Sequence, residues 1–184
     1  MKEIKLTPRT LALYATRRGV SFACFIHPSM VTEWGSKHIV SNENEKNAAT
    51  LRLAKELIDR IRPDVLVIEN VEDGYSRRAP RMKPLYRAIA RYGEKREIPM
   101  HMYSRRELVD VFSAVGASVK HEFNAAIATL IPTLLRWQPK KRTLTDSEVP
   151  AQGIFDAASL GLTFFVREKR LDIAQAMQDA KTVE

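Results

Sequence analysis

Apolar residues fall in short unbroken runs near the start of this chain, then at every fourth position, then in a run again, and these changes of period predict the order of its elements. Residues 10–16 (TLALYAT) and 20–26 (VSFACFI) read as strands, and Arg17, Arg18 and Gly19 between them suit a tight hairpin turn. A third, weaker strand is expected over 32–40, interrupted by Gly35. From Lys46 to Ile61, Ala49, Leu53, Leu57 and Ile61 recur at helical spacing, with Leu51, Ala54 and Ile58 widening the face, and Pro63 ends the helix. The run Val65 to Ile68 then reads as a strand covered on both faces, with Glu69 at its C-terminal edge.

Residues 71–82 hold Gly74, Pro80 and three arginines without apolar period and read as an exposed loop before a helix over 84–97. A short strand follows at 100–103, and Ser104 with Glu107 forms a capping-box signature for the next helix. A longer helix is expected over 118–136, bent or broken at Pro132. Residues 137–150 read as a loop, and a last helical region runs from about Gly153 to the C-terminus, fraying beyond about Gln178. Three strands, helix, strand, helix, strand and helices, without repeats, describe one α/β domain over 1–184.

Composition narrows the class. With 184 residues, 45% of them hydrophobic and 28% charged, the chain has the make-up of a soluble globular protein with one core. The N-terminal MKEIKLTPRT has no apolar signal core and no stretch is long enough to span a membrane, so a cytoplasmic protein without membrane partners is expected. Cys24 is the single cysteine, which excludes an intrachain disulfide or a multi-cysteine zinc site, and its apolar surroundings predict a buried thiol. His27, His38, His101 and His121 have no metal-binding spacing. Trp137 reads either as a base-stacking side chain or as a partly buried anchor of the basic loop after it.

A net charge of +8 favours polyanionic partners without choosing among DNA, RNA and an anionic membrane. The distribution says more. Between Gly74 and Arg106 stand ten basic residues, Arg77, Arg78, Arg81, Lys83, Arg87, Arg91, Lys95, Arg96, Arg105 and Arg106, against only Glu94 and Glu97. Lys83, Arg87, Arg91 and Lys95 make one stripe along the helix, opposite a core-facing side of Leu85, Ala88, Ile89 and Tyr92. Like charges at this spacing repel, so a surface that meets phosphates explains them better than a solvated face of mixed sign.

The order of elements is similar to the ribonuclease H-like fold, an α/β architecture whose mixed five-stranded sheet is an antiparallel meander continued by parallel strands and flanked by helices. Three local motifs sharpen the resemblance toward the RuvC-type Holliday junction resolvases. PDVLVIEN resembles the family strand that ends in a catalytic glutamate, which falls on Glu69. SRRELVDVFSAVGASVKHEFNAAI resembles the family's basic segment followed by a glycine, a small residue and a lysine, matched by Gly116, Ser118 and Lys120. FDAASLGLTFF resembles the last helix, whose aspartate faces the metals, and this falls on Asp156.

The resemblance implies catalytic and metal-ligating roles for Glu69 and Asp156, Mg²⁺ or Mn²⁺ as cofactor if cleavage occurs, a nucleic-acid partner that is DNA, and a homodimer. It also exposes departures. Tyr14 stands where the family's first strand ends in aspartate, no acid occurs between Glu3 and Glu33, and Gly153 stands three positions before Asp156, where the family tends to carry an acid or histidine. Holding two divalent ions about 3.5 to 4 Å apart takes several carboxylates. The candidates for a substitute third ligand are Glu72 and Asp73 in the loop after the glutamate strand.

Read singly, Glu69 is better explained by a strand-end pairing with arginine, and Asp156 by a favourable place near a helix N-terminus, and only their joint placement favours the resemblance. Asp156, Ser159 and Thr163 form a polar stripe beside Phe155, Leu162 and Phe165 that faces either a cleft or solvent. The leading expectation is therefore a protein that binds branched or structured DNA with an eroded metal site, its basic contacts being Arg77, Arg78, Arg81, Lys83, Arg87, Arg91, Lys95, Arg105, Arg106 and Lys120. The alternatives are an active metal-dependent structure-specific endonuclease and an interaction subunit whose basic face meets an acidic protein.

Overall fold

Strands β1 (Thr10–Thr16), β2 (Gly19–His27) and β3 (Met30–His38) form an antiparallel meander, and β4 (Val65–Glu69) and β5 (Met100–Tyr103) extend it in parallel from β1. The resulting order is β3-β2-β1-β4-β5. The structure is a computed structural model that describes residues 7–16, 18–40, 45–74, 76, 79–140 and 150–182. Arg77 and Arg78, expected to contact nucleic acid, lie outside the described residues, as does most of the 137–150 loop.

The period of two along each strand sorts side chains into two cores. Leu11, Leu13 and Ala15 of β1, Val20, Phe22 and Cys24 of β2, and Leu66 and Ile68 of β4 face one layer. That layer consists of α1 (Lys46–Ile61) and α2 (Met82–Lys95). Ala12, Ala23, Phe25, Val65 and Val67 face the other, which holds α3 (Arg105–Ser113), α4 (Lys120–Leu130), α5 (Pro150–Arg167) and α6 (Ile173–Thr182). Cys24 is buried, and burial pushes its thiol pKa up.

The hairpin turn closes with Thr16 opposite Gly19. Gly19 has φ +137°, and a Cβ there would meet the Lys37 carbonyl oxygen at 1.9 Å, so glycine is required. Several boundaries differ from the sequence reading. The third strand begins at Met30, not 32, and ends at His38. Helix α2 starts at Met82, because Pro84 in its first turn displaces no intrahelical hydrogen bond.

The helix expected over 118–136 stops at Leu130. A 3-10 helix (Pro132–Trp137) replaces its last turns, since Pro132 cannot donate to the helical ladder. Trp137 ends that turn 46% exposed, which is compatible with both of its readings.

The last helical region is two helices. The chain breaks after Arg167 with Lys169 at φ +54°, and the Asp172 carboxylate accepts the Gln175 backbone N–H to start α6. Ile173 is buried as α6 docks on α4, and the helix runs to Thr182.

Helix α5 crosses the sheet and determines the geometry of the site. It runs along β2 with Gly153 over Ser21 and Gly161 over Phe25. A Cβ on Gly153 would lie 2.1 Å from Ser21 Oγ, and one on Gly161 would lie 2.3 Å from Phe25 Cε2. Backbone and sheet therefore approach more closely than any other residue type permits.

Candidate functional site

Strand parity brings the first site residues together. Tyr14 lies two residues after Ala12 and Glu69 two after Val67, so both point to the α5 face, at the end of the sheet where β1 and β4 finish. Because α5 runs in the direction of β2, its first turns arrive at that same end with Asp156. Tyr14, Glu69, Arg105, Lys120, Asp156 and Ser159 line one cleft there, with Leu108 and Leu160 as apolar wall.

The β1–β4 ladder pairs Thr10 to Leu13 with Val65 to Ile68 and goes no further. Beyond it the strands part, and the Tyr86 hydroxyl from α2 fills the gap. It accepts the Ala15 N–H at 3.0 Å and lies 3.1 Å from the Ala15 carbonyl oxygen and 3.3 Å from Glu69 Oε2, either of which it can donate to. A buried tyrosine thus satisfies the strand end and holds the glutamate beside it.

Asp156 is held by a polar network. Lys120 Nζ donates to its Oδ2 at 2.9 Å, and Gln152 Nε2 donates to its Oδ1 at 3.2 Å. Gln152 and Asn124 exchange amide hydrogen bonds of 2.9 and 3.2 Å, and both are buried. The Asp156 side chain is 9% exposed and that of Lys120 44%, so the ammonium is the outward member of the pair. Lys120 Nζ also sits 5.9 Å from the Tyr14 ring centroid.

The start of α4, which carries Lys120, is fixed by the Glu122 carboxylate, which accepts the Ser118 and Val119 backbone N–H groups at 2.6 and 3.2 Å. Those bonds hold its pKa below the usual range. The stripe Asp156, Ser159, Thr163 is buried, not solvated. Ser159 and Thr163 return their hydroxyls to the helix, donating to the Asp156 and Ser159 carbonyls.

The basic residues separate into two groups. Arg105, at the start of α3, lines the cleft with its guanidinium 4.5 Å over the Phe123 ring, and Arg106 is exposed beside it in sequence. The α2 stripe is in the opposite layer. Arg87, Arg91 and Lys95 are exposed, Lys83 and Arg81 are half-buried, and the helix leads away from the cleft end toward β5's beginning.

Glu72 accepts from Arg87 at 2.7 Å and lies 3.9 Å from Lys83. The Arg87 hydrogen bond chiefly holds the Glu72 pKa down. Asp73 is half-buried in the same loop and does not line the cleft.

No protein-family model and no curated protein matches the chain. Solved structures do. The Thermus thermophilus RuvC structure aligns with a TM-score of 0.62 at 12% identity, over 88% of this chain and 96% of that one. The chain has the ribonuclease H-like fold of RuvC. T. thermophilus RuvC in complex with its Holliday junction substrate gives 0.61 at 12% identity, over 89% of this chain and 97% of the other. Ydc2, the yeast mitochondrial Holliday junction resolvase, gives 0.57 at 13% identity, over the whole of this chain and 87% of that one.

The resemblance read from the sequence implies a pair of divalent ions, so the donor set of this cleft tests whether the residues present fit them. Among the described residues no three His, Cys, Asp or Glu side chains converge. Among the described residues the cleft offers two carboxylates, Asp156 engaged by an ammonium and an amide and Glu69 by the Tyr86 hydroxyl, and a phenol at the end of β1. That set does not fit a pair of divalent ions, which needs carboxylates to bridge and flank both.

Sequence reasoning missed Tyr86, Gln152 and Asn124. The last two were within reach: Gln152 is four residues before Asp156 and Asn124 four after Lys120, so each shares a helix face with a residue already singled out.

Proposed function

We propose that this chain binds branched DNA, as a homodimer on a RuvC-like scaffold, and leaves it uncut because its metal site is eroded. The observation that carries the reading is the Lys120–Asp156 ion pair beside Glu69 and Tyr14 in the cleft. A resolvase-like cleft lined this way keeps cations for phosphates while its carboxylates are too few and too occupied to concentrate divalent ions. Support for DNA as the ligand comes from the basic rim of Arg105, Arg106 and Lys120 and from a fold whose T. thermophilus representative is known with a Holliday junction. The α2 stripe supplies a second phosphate-binding surface in the opposite layer, suited to another arm of the same junction.

The test is competition binding across a salt series. The proposal expects a four-way junction to displace linear duplex of the same length and log affinity to fall steeply with log salt, each neutralised phosphate adding about 0.9 to the slope. Equal affinity for both substrates, or a flat salt response, contradicts it. One observation favours a second reading, a metal-dependent structure-specific endonuclease: Glu69 and Asp156 share one cleft.

A further inference from the structure

We propose that Lys120 is the fixed cation of this cleft, taking the electrostatic place of a divalent ion, so that a DNA phosphate docks there without metal. The inference rests on the DNA-binding reading above and names the group that performs it. Both oxygens of Asp156 are engaged, Oδ2 by the Lys120 ammonium at 2.9 Å and Oδ1 by Gln152 at 3.2 Å. A metal ion seeking Asp156 would have to displace a cation already in contact with it.

The charge balance points the same way. Among the described residues, the charged ones lining the cleft are Glu69 and Asp156 against Arg105 and Lys120, which cancel and leave no net carboxylate charge there to draw Mg²⁺ out of water. The pair is also oriented for an anion. Its carboxylate is 9% exposed and its ammonium 44%, which presents positive charge outward and keeps the negative charge at the back. Position is fixed from both sides, by the Glu122 bonds that define the start of α4 and by the buried Asn124–Gln152 exchange behind Asp156. Asp156 is on this account a positioning residue for Lys120.

Two measurements on the full chain test this, with Lys120→Met, Lys120→Arg and Asp156→Asn checked for folding by circular dichroism. The first is four-way junction affinity in EDTA and in Mg²⁺ at matched ionic strength. The wild type should bind equally in both, and Lys120→Met should show a salt slope smaller by about 0.9 and bind better with Mg²⁺ than without. Lys120→Arg retains the charge and should stay indifferent to metal.

The second is Mn²⁺ uptake by the protein alone, followed by electron paramagnetic resonance. Lys120→Met should gain an Mn²⁺ site, through Glu69 and Asp156, that the wild type lacks and that adding Asp156→Asn removes. Wild-type Mn²⁺ binding that disappears in Asp156→Asn, or junction affinity that collapses in EDTA, overturns the inference. Absence of junction binding under every condition instead defeats the DNA-binding reading, and the Mn²⁺ experiment then still decides which cation belongs to Asp156.

Discussion

Replacing Gly153 with alanine should destabilise this protein, although an alanine in a helix is ordinarily worth about 1 kcal/mol over glycine. The new Cβ would stand 2.1 Å from Ser21 Oγ and 2.9 Å from Ser21 Cβ. The serine cannot move away freely: it is buried on the second strand of the sheet and its hydroxyl is 2.7 Å from that of Ser36 on the neighbouring strand. Overpacking costs about 1–3 kcal/mol, and a 2.1 Å approach puts this site at about 2–3 kcal/mol, so the net loss should be about 1–2 kcal/mol after the helical gain.

In a Ser21→Gly background the obstacle is gone, and the same substitution should become neutral or stabilising by up to about 1 kcal/mol. Urea denaturation of the four proteins closes a double-mutant cycle with a coupling of about 2 kcal/mol. Additivity within about 0.5 kcal/mol, or stabilisation by Gly153→Ala alone, would refute the close approach of α5 to β2. The result bears on function, because the resemblance to RuvC-type resolvases implies an acid or histidine at the position of Gly153. An aspartate introduced there alone would strike Ser21 before reaching the cleft.

Three further outcomes are expected. Tyr86→Phe leaves the buried Ala15 N–H without its acceptor and should lower unfolding free energy by about 1–3 kcal/mol in the same denaturation assay, with no change meaning that the strand end finds another partner. Burial raises the Tyr103 phenol from 10.0 to about 12, so the folded state holds this proton longer than the unfolded state. The contribution is intact below pH 10 and lost as pH climbs from about 10 to 12, so stability should fall over that window and fall less in Tyr103→Phe. Arg87→Glu with Arg91→Glu should weaken junction binding and reduce the salt slope by about 0.9 for each phosphate no longer neutralised, whereas an unchanged slope removes the α2 stripe from the DNA surface.

What the sequence made legible follows from range. β1, α1 and β4 are readable nearly to the residue because each declares itself within its own window, by an unbroken apolar run or a fourfold recurrence. Glu69 at a strand end and Asp156 on the last helix are likewise visible as motif positions. Their meeting in one cleft depends on strand parity and on α5 lying along β2, which no local window contains.

The same limit applies to the charges. Lys120 reads in the sequence as one more phosphate-binding cation, and its attachment to Asp156 spans 36 positions. The alternation on α2 shows which face is exposed, but not that this face lies in the layer away from the cleft. The break between α5 and α6 is not legible, because the continuous helical pattern around it hides the N-cap signal of Asp172, three residues before Gln175.

Incubating the wild type with a labelled four-way junction, at protein concentrations that saturate binding and in the presence of Mg²⁺ or Mn²⁺, tests the central claim most directly. The account predicts a fully shifted junction whose strands remain intact on a denaturing gel. Strand cleavage by the wild type that is lost in both Glu69→Gln and Asp156→Asn would contradict it and establish the endonuclease.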